Sequence, residues 1–583
     1  MASLPPAAVA TTTRKVAIIG AGSAGLAAAL ELLTLSHSGK TKDRVRFEPR
    51  LFERRPHLGG IWQYDDPGEC SFVFDERGAG HPVSSLPAGS GSGSSSLSGS
   101  RRAWPPSPMY EGLRTNIPRD LMCFRDFPDE RHDEQAALFP SRGTVQSYIE
   151  AFAAQKELLP FIRFNTDVVS VHRIAHQTGP IGPQSKWAVV SRALDGSSAE
   201  TREEYDYVVV AAGRCNRPKV PLLPGLWLWK GKLLHSAWYR TPTVFRGQSV
   251  LVVGNNSSGM DIARELHGKV VRDFDGREEW IADAHAQPPR TGVKVRQSVE
   301  DITKPPPMDY DPRDEASPEW SKAIEVVPRI SRIERAQDDE SSHGRVILED
   351  GRVLDDVDTI IFATGFSYEF PMLDQSLAPF DEAPVMLPPP ESKLSAVEQA
   401  ELEQVRAARR ECQEVDADQL PRASPFLSNL DDWQLFHRRD PSIVFLGIPT
   451  SIVPFPFAQI QARYAAYFWA GLVPALPALD PSLPVTDAAK WNSPVERADE
   501  TEQQARSRDP VQHIFGHPSE SAYLDQLLLR MQGEAAFSPV DALETDGKGK
   551  IGQRGPELNF QTTKWRRERR ANGKALRREE LGY

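Results

Sequence analysis

Cysteine is scarce in this 583-residue chain: four occur, at positions 70, 123, 215 and 412. Cys70 and Cys123, the closest two, stand 53 residues apart, which excludes a local C-x-x-C redox pair or zinc knuckle. No His/Cys/Asp cluster has ligand spacing, so no metal is expected. Long apolar runs are missing as well. Nothing approaches the ~18 consecutive apolar residues of a membrane span, and the stretch from Tyr464 to Leu476 is interrupted and reads as a buried helix. Met1 to Thr13 lacks a basic start, and Pro5 and Pro6 precede its Ala-rich run, so no secretory signal is expected there. The expected setting is a reducing, cytoplasmic one without a membrane contact. Basic charge is not in excess: 69 Lys and Arg face 80 Asp and Glu, a net charge of −11. A nucleic-acid binder needs a basic surface to displace counterions, so that class is set aside. The basic cluster Trp565-Arg566-Arg567-Glu568-Arg569-Arg570 is diluted by Glu568, Glu579 and Glu580 and reads as a solvated tail.

What the chain does have is enough length for two or three domains and, at 39% hydrophobic residues, a sizeable core. Two segments look like surface insertions. Ser84 to Ser100 is almost all Ser and Gly and predicts a disordered loop, about 76–102. Pro388 to Gln419 predicts an exposed insertion, about 376–420, with helical character over Leu394 to Val415. Between them strands alternate with helices. Predicted strands are Val16–Ile19, Arg46–Phe52 (weakened by Pro49), Tyr207–Ala211, Ser249–Val253, Thr359–Ala363 and Ile443–Leu446. Predicted helices are Ala24–Leu35, Val145–Lys156, Met260–Leu266 and Phe457–Gly471. This alternation implies an α/β fold on parallel sheets, built as two Rossmann-like units.

The first unit opens with a dinucleotide fingerprint between a strand and a helix: Gly20-Ala21-Gly22-Ser23-Ala24-Gly25. Gly20 permits the tight turn, Gly22 lets the backbone approach a pyrophosphate, and Gly25 lets helix and strand pack closely. The helix N-terminus then offers N–H groups and partial positive charge to phosphate. Glu53, at the end of the next strand, is the candidate for the ribose, although it lies 28 residues after Gly25 rather than ~20. The polar stretch Ser36 to Arg44 accounts for the extra length; the alternative for Glu53 is an ordinary surface acid.

The second unit reads Gly254-Asn255-Asn256-Ser257-Ser258-Gly259-Met260-Asp261 after a strand. Asn256 replaces the middle glycine, which leaves a binding turn and a plain strand–helix junction both open. Two such units suggest two dinucleotides and electron transfer between them. Lys294 and Arg296 are the nearest basic candidates for a 2′-phosphate, with Glu300 and Asp301 following as repulsive neighbours.

Beyond the two turns, Trp229-Lys230-Gly231-Lys232-Leu233-Leu234-His235-Ser236-Ala237-Trp238-Tyr239 resembles the F-x-G-x-x-x-H-x-x-x-Y/F fingerprint of flavin-containing monooxygenases, with Trp in the Phe place. Gly59-Gly60-Ile61-Trp62 resembles a flavin-contacting G-G-x-W. Tyr110 with Leu113-Arg114-Thr115-Asn116, running on to Ile117, resembles the segment with the active-site Asn. Val210-Ala211-Ala212-Gly213 and Phe362-Ala363-Thr364-Gly365 resemble the two A-T-G linkers, and Gln461-Ala462-Arg463-Tyr464 a late helix near the flavin. Tyr239-Arg240 favours the heteroatom-oxidising branch over the Baeyer–Villiger one. The likeness runs in order from about Lys15 to about Gly471 and says little about the last ~100 residues, enough for a small domain or only a tail.

The resemblance implies FAD and NADPH as cofactors, with the NADP domain (241–342) inserted into the FAD domain (1–240 and 343–490) and a C-terminal extension over 491–583. It implies that NADPH reduces FAD, that the flavin forms a C4a-hydroperoxide with O2, and that one oxygen goes to a soft nucleophile, S or N, of a small molecule. Such chemistry needs a dry, hydrogen-bonded pocket. Asn116, whose amide both donates and accepts, is the implied catalytic residue; the alternative is a turn-former before Pro118. His235 reads as structural at the interdomain linker rather than as a base, and Cys123 and Cys215 as packing residues. Two other readings stay open: a Baeyer–Villiger or N-hydroxylating monooxygenase, and an NADPH-oxidising flavoprotein or redox sensor that inserts no oxygen. Disulfide reductases share the layout but need a cysteine pair. A homodimer is left open.

Overall fold

The computed structural model describes residues 12–38, 45–85, 105–125, 127, 137–174, 186–194, 199–268, 292–306, 310–336, 343–387, 394–410, 417, 420–421, 423–425, 427–475, 519–532 and 564–581. Two all-parallel, five-stranded sheets organise them. The first holds β1 (Thr12–Ile19), β2 (Val45–Phe52), β5 (Ile162–Arg163), β9 (Tyr207–Val210) and β20 (Ile443–Phe445), in spatial order β20-β9-β1-β2-β5. Alternate residues go to opposite faces. Val16, Ile18, Val209 and Val444 pack with α1 (Ser23–His37), α2 (Arg142–Gln155) and α6 (Pro454–Trp469). Ala17, Ile19, Val208, Val210, Ile443 and Phe445 pack into a second cluster on the other face. Burial on both faces is why these strands read as unbroken apolar runs. Pro49 is tolerated because β2 is an edge strand over most of its length: β5 pairs only with Leu51 and Phe52.

The second sheet holds β11 (Lys232–His235), β12 (Ser249–Val253), β13 (Lys294–Ser298), β14 (Glu325–Val327) and β18 (Thr359–Phe362), in order β11-β18-β12-β13-β14. All its strands lie between β9 and β20 in the chain, so this unit is inserted into the first. The helix α3 (Ser257–Leu266) follows β12. Two linkers join the units: β10 (Arg217–Pro218) and β19 (Phe366–Ser367) pair antiparallel, and the buried Arg217–Glu369 ion pair locks them. Smaller antiparallel pieces complete the fold, namely the hairpin β3 (Glu69–Phe74) and β4 (Gly80–Ser85), the meander β6 (Thr166–Ile174), β7 (Lys186–Ala193) and β8 (Glu200–Tyr205), and the sheet β15 (Ile330–Glu334), β16 (Arg345–Leu348) and β17 (Val353–Leu354). A short helix, α4 (Glu319–Lys322), precedes β14. No helix among the described residues is long and apolar enough to cross a membrane.

Three expectations change. The predicted loop begins neither at about 76 nor at Ser84: residues 80–85 form β4, where the Ser84 hydroxyl meets Trp238 Nε1 at 3.1 Å and donates to the Pro67 carbonyl at 2.9 Å. The remainder, residues 86–100, lies outside the described residues. The second insertion is not wholly exposed, because α5 (Ala396–Arg410) buries Leu402 in the cluster of Leu226, Trp227 and Trp229. The basic C-terminal cluster is no solvated tail. It forms α8 (Lys564–Ala571), followed by α9 (Gly573–Leu581), and with α7 (Ser519–Gln532) these helices pack on the first unit. Arg566 is buried, its guanidinium donating to the carbonyls of Asp120 and Leu121. Arg567 and Arg569 pair with Asp525 and Asp120. Charge alone suggested solvation; ion pairing and main-chain acceptors supply the burial instead.

Candidate functional site

The two glycine turns have the same construction. Gly20 takes φ +102°, and its N–H donates to Phe52 O at 2.8 Å; Gly254 takes φ +108°, and its N–H donates to Ser298 O at 2.8 Å. A Cβ at Gly20 would lie 2.6 Å from Ala211 O, and one at Gly254 would lie 2.6 Å from Ala363 O. A Cβ on Gly25 would meet Gly20 O at 2.0 Å, and one on Gly259 would meet Gly254 O at 2.2 Å. In both turns the first glycine allows a left-handed bend and the last allows close helix packing. Asn256, in the middle place of the second turn, is extended like Gly22 and leaves that geometry unchanged.

Neither α1 nor α3 receives a side-chain cap or an acid in its first turn, whereas Ser141 caps α2 by accepting from Thr144 N. Ser23 and Ala24 form the first turn of α1, and Ser257 and Ser258 that of α3. Two positively polarised helix ends without side-chain caps are the arrangement that receives dinucleotide phosphates. The glycine faces and helix ends therefore fit the expected cofactors.

Around the first turn, Glu53 is buried, with Oε2 accepting from Ala21 N at 2.8 Å and Oε1 from Arg55 N at 3.0 Å. It is thus no ordinary surface acid. Gly59 N donates to Ala21 O at 3.1 Å, and Gly60 stands against Gly22, each glycine's absent side chain making room for the other. Arg55 donates to Gly60 O at 2.6 Å. Ile61 is exposed and Trp62 half-buried at this edge. The residue after Ser298, matching Glu53, is Val299; the second unit has no carboxylate at that place to repel a 2′-phosphate.

Lys294 and Arg296 are not at that place either. Lys294 opens β13 and Arg296 is its middle residue, opposite Ser249 and Leu251, while nucleotides bind at the C-terminal ends of parallel strands. Arg296 is buried against Asp356, Glu325 and Ser249, and Lys294 pairs with Asp356.

The segment 105–117 links the two turns. Ser107 N donates to the Asp65 carboxylate and its hydroxyl to Ile61 O, beside the first turn. Nine residues later the exposed Asn116 donates from Nδ2 to Ser257 Oγ at 3.1 Å, at the start of α3. Thr115 and Ile117 are buried on either side of it, with Thr115 Oγ1 donating to Ile117 O at 2.9 Å. Asn116 is therefore held across the two units. Thr364 donates to Lys219 O at the linker, and Gly365 O accepts from Lys219 N at 2.9 Å. His235 is fully buried: Nδ1 accepts from Ala237 N at 3.2 Å, so the proton sits on Nε2, which donates to Gly365 O at 3.1 Å. Burial pushes its pKa down to about 3, which leaves it a neutral strut.

Beneath Asn116 lies a buried polar node that the motifs did not announce. Asp261 accepts from Tyr110 Oη at 2.6 Å, from Arg264 at 2.9 Å and from Arg577 at 3.2 Å. These three donors hold its carboxyl below the usual range despite burial. Tyr239 donates to Glu265 Oε2 at 2.8 Å. Burial, with Asp261 adding to it, raises Glu265 to about 7 against the pull of Arg264. Met260 and Asp261 thus face packed protein rather than an open cleft. Tyr110 and Tyr239 were visible in the family-like segments; Arg577 lies in a stretch with no motif, and nothing in the sequence marked it.

Comparison with known proteins agrees with this layout. The family model described as flavin-binding monooxygenase-like matches residues 106–275, and that described as pyridine nucleotide-disulphide oxidoreductase matches residues 194–393. No disulfide links the three described cysteines, Cys70, Cys123 and Cys215. Flavin-containing monooxygenase FMO GS-OX-like 2 of Arabidopsis thaliana is 29% identical over 482 residues, 82% of this chain and 78% of that protein. FMO GS-OX5 of the same plant is 31% identical over 378 residues, 64% of each chain. Among solved structures, S-allyl-L-cysteine S-oxygenase from Allium sativum has a TM-score of 0.59 at 23% identity, covering 98% of this chain and 94% of that one.

Proposed function

We infer the reaction from one premise: this chain belongs to the flavin-containing monooxygenase family, a group of oxidoreductases that use FAD and NADPH. The reaction proposed is insertion of one atom of O2 into sulfur or nitrogen of a small molecule. FAD, reduced by NADPH, supplies the electrons that activate O2. The turn Gly20–Gly25 with Glu53 and the Gly60-Ile61-Trp62 edge would hold FAD, with Thr364 and Gly365 at the linker. The turn Gly254–Gly259 would hold NADPH.

The observation that carries this reading is the Asn116–Ser257 hydrogen bond. It sets an amide that donates and accepts between the flavin-side segment and the nicotinamide-side helix, where a reacting pair of cofactors has to meet. Asn116 would orient both and keep a hydrogen-bonding group where water would otherwise enter. In the same reading residues 1–240 and 343–490 serve FAD and 241–342 serve NADPH, with β11 and β18 contributing strands to the latter's sheet.

The test is NADPH oxidation by the FAD-loaded protein, with peroxide and product measured in parallel, against thioethers, thiols, amines and ketones. Thioethers come first because the S-oxygenase of Allium sativum shares the fold over 98% of this chain. An oxygenated product in step with NADPH is the expected result. Peroxide in step with NADPH across the whole panel, or a protein that takes up no FAD, overturns the proposal; esters from ketones alone would move it to the Baeyer–Villiger branch.

A further inference from the structure

The C-terminal helices lie beyond both family-model matches, which end at residues 275 and 393, yet they grip the segment that bears Asn116. Arg566 and Arg569 of α8 hold Asp120 and the Leu121 carbonyl. Glu580 of α9 accepts from the backbone N–H groups of Leu138 and Phe139, and Leu581 packs on the fully buried Phe139. Between these grips Arg577, 4% exposed, enters the node below the site. Its Nε donates to Thr115 O at 3.1 Å, and its Nη2 reaches both carboxylate oxygens of Asp261 at 3.2 Å.

We propose that Arg577 is a positioning residue for Asn116 and the bound nicotinamide nucleotide. This rests on the two-cofactor reading above and extends it to the C-terminal helices. Thr115 precedes Asn116, and Asp261 follows Ser257 by four residues, about one helical turn. The same two strips of chain are therefore stitched twice, one turn apart: Asn116 to Ser257 at the helix start, and Thr115 to Asp261 through Arg577 beneath it. The upper stitch is a neutral bond at an exposed side chain, weak by itself. The lower one is buried and charge-assisted, so it sets the depth at which Asn116 meets α3. A guanidinium gives the carbonyl and the carboxylate separate nitrogens on a rigid fork, Nε and Nη2, whereas an ammonium must serve both from one nitrogen. Arg264 and Tyr110 remain on Asp261 when Arg577 is removed, which leaves that carboxylate paired.

The experiment measures NADP+ binding to the FAD-loaded full-length protein in the absence of substrate, by titration calorimetry, together with flavin content. Arg577→Ala is expected to raise the NADP+ Kd by about tenfold with flavin content unchanged, and methylguanidine to recover part of the loss. Arg577→Lys is expected to fall between the two, and the exposed-residue control Glu579→Gln to match wild type. An NADP+ Kd for Arg577→Ala within about twofold of wild type, or a loss of flavin in step with the loss of NADP+, overturns the proposal. Should Arg577→Ala not accumulate folded, Arg577→Lys and Glu580→Gln decide in the same assay, and wild-type binding by both overturns it. A wild-type protein that binds no NADP+ would instead refute the two-cofactor reading.

Discussion

Asn116 Nδ2 donates to Ser257 Oγ at 3.1 Å, and this bond joins the segment that starts beside the first glycine turn to the first turn of the helix behind the second. The two residues are 141 apart in sequence. Under the two-cofactor reading their meeting places an amide where two bound dinucleotides would have to approach one another.

Replacing Asn116 tests that contact. Its side chain is exposed and lies outside the core, so Asn116→Ala should keep its flavin. Losing a preorganised polar group at the reacting centre should lower the rate of oxygenated product about a hundredfold, with more NADPH electrons lost as peroxide. A variant with wild-type product yield per NADPH would remove Asn116 from the mechanism.

The two helix-packing glycines separate the cofactors. A methyl at Gly25 would sit 2.0 Å from Gly20 O, and one at Gly259 would sit 2.2 Å from Gly254 O; backbone must shift in either case. Overpacking of this kind costs about 1–3 kcal/mol, concentrated on the adjoining turn. Gly25→Ala should purify with little bound flavin. Gly259→Ala should keep its yellow colour and lose NADP+ affinity. Absorbance at the flavin band and NADP+ titration read both, and the reverse pattern would mean that the turns have been assigned to the wrong cofactors.

Glu265 makes stability depend on pH. Its carboxyl rises from 4.5 to about 7 because it is buried, with Oε1 unpartnered against Gly112. Between these values the unfolded chain has released a proton that the native chain keeps, so stability falls as pH rises. The fall should total about 3 kcal/mol across the window and level off above it. Glu265→Gln keeps a group for Tyr239 and removes the titration. Denaturant unfolding at pH 5 and pH 7.5 should show the variant gaining on wild type at the higher pH; an equal difference at both would count against it.

His235 offers the contrast of a histidine that does not titrate near neutrality. With its pKa near 3 and both nitrogens bonded, it has no role as a base. His235→Asn should lower unfolding stability by about 2 kcal/mol through lost buried hydrogen bonds while the rate per bound flavin stays near wild type. A loss of rate without a loss of stability would return it to the chemistry.

The two nucleotide turns were legible in the sequence because their constraints are local. A strand, a bend at positive φ and a close helix contact occupy a few consecutive residues, and glycine alone satisfies the last two. Strand cores read equally well, since residues buried on both faces appear as apolar runs. Edges did not: β1 reaches back to Thr12 only because β2 is there to pair with it. The partners of Lys294 and Arg296 were not legible, because proximity along the chain does not reveal that Asp356 and Glu325 lie beside them.

Taken alone, the amino-acid order determined two phosphate-ready turns, the parallel α/β architecture and the shortage of cysteine that rules out a local C-x-x-C redox pair. Tertiary structure decided the rest. It placed Asn116 on Ser257, neutralised His235 by burial and drew a basic C-terminal helix pair onto the site, where Arg577 meets Asp261 across 316 residues. Charge and burial are properties of surroundings, and surroundings at that separation exist only once the chain has folded.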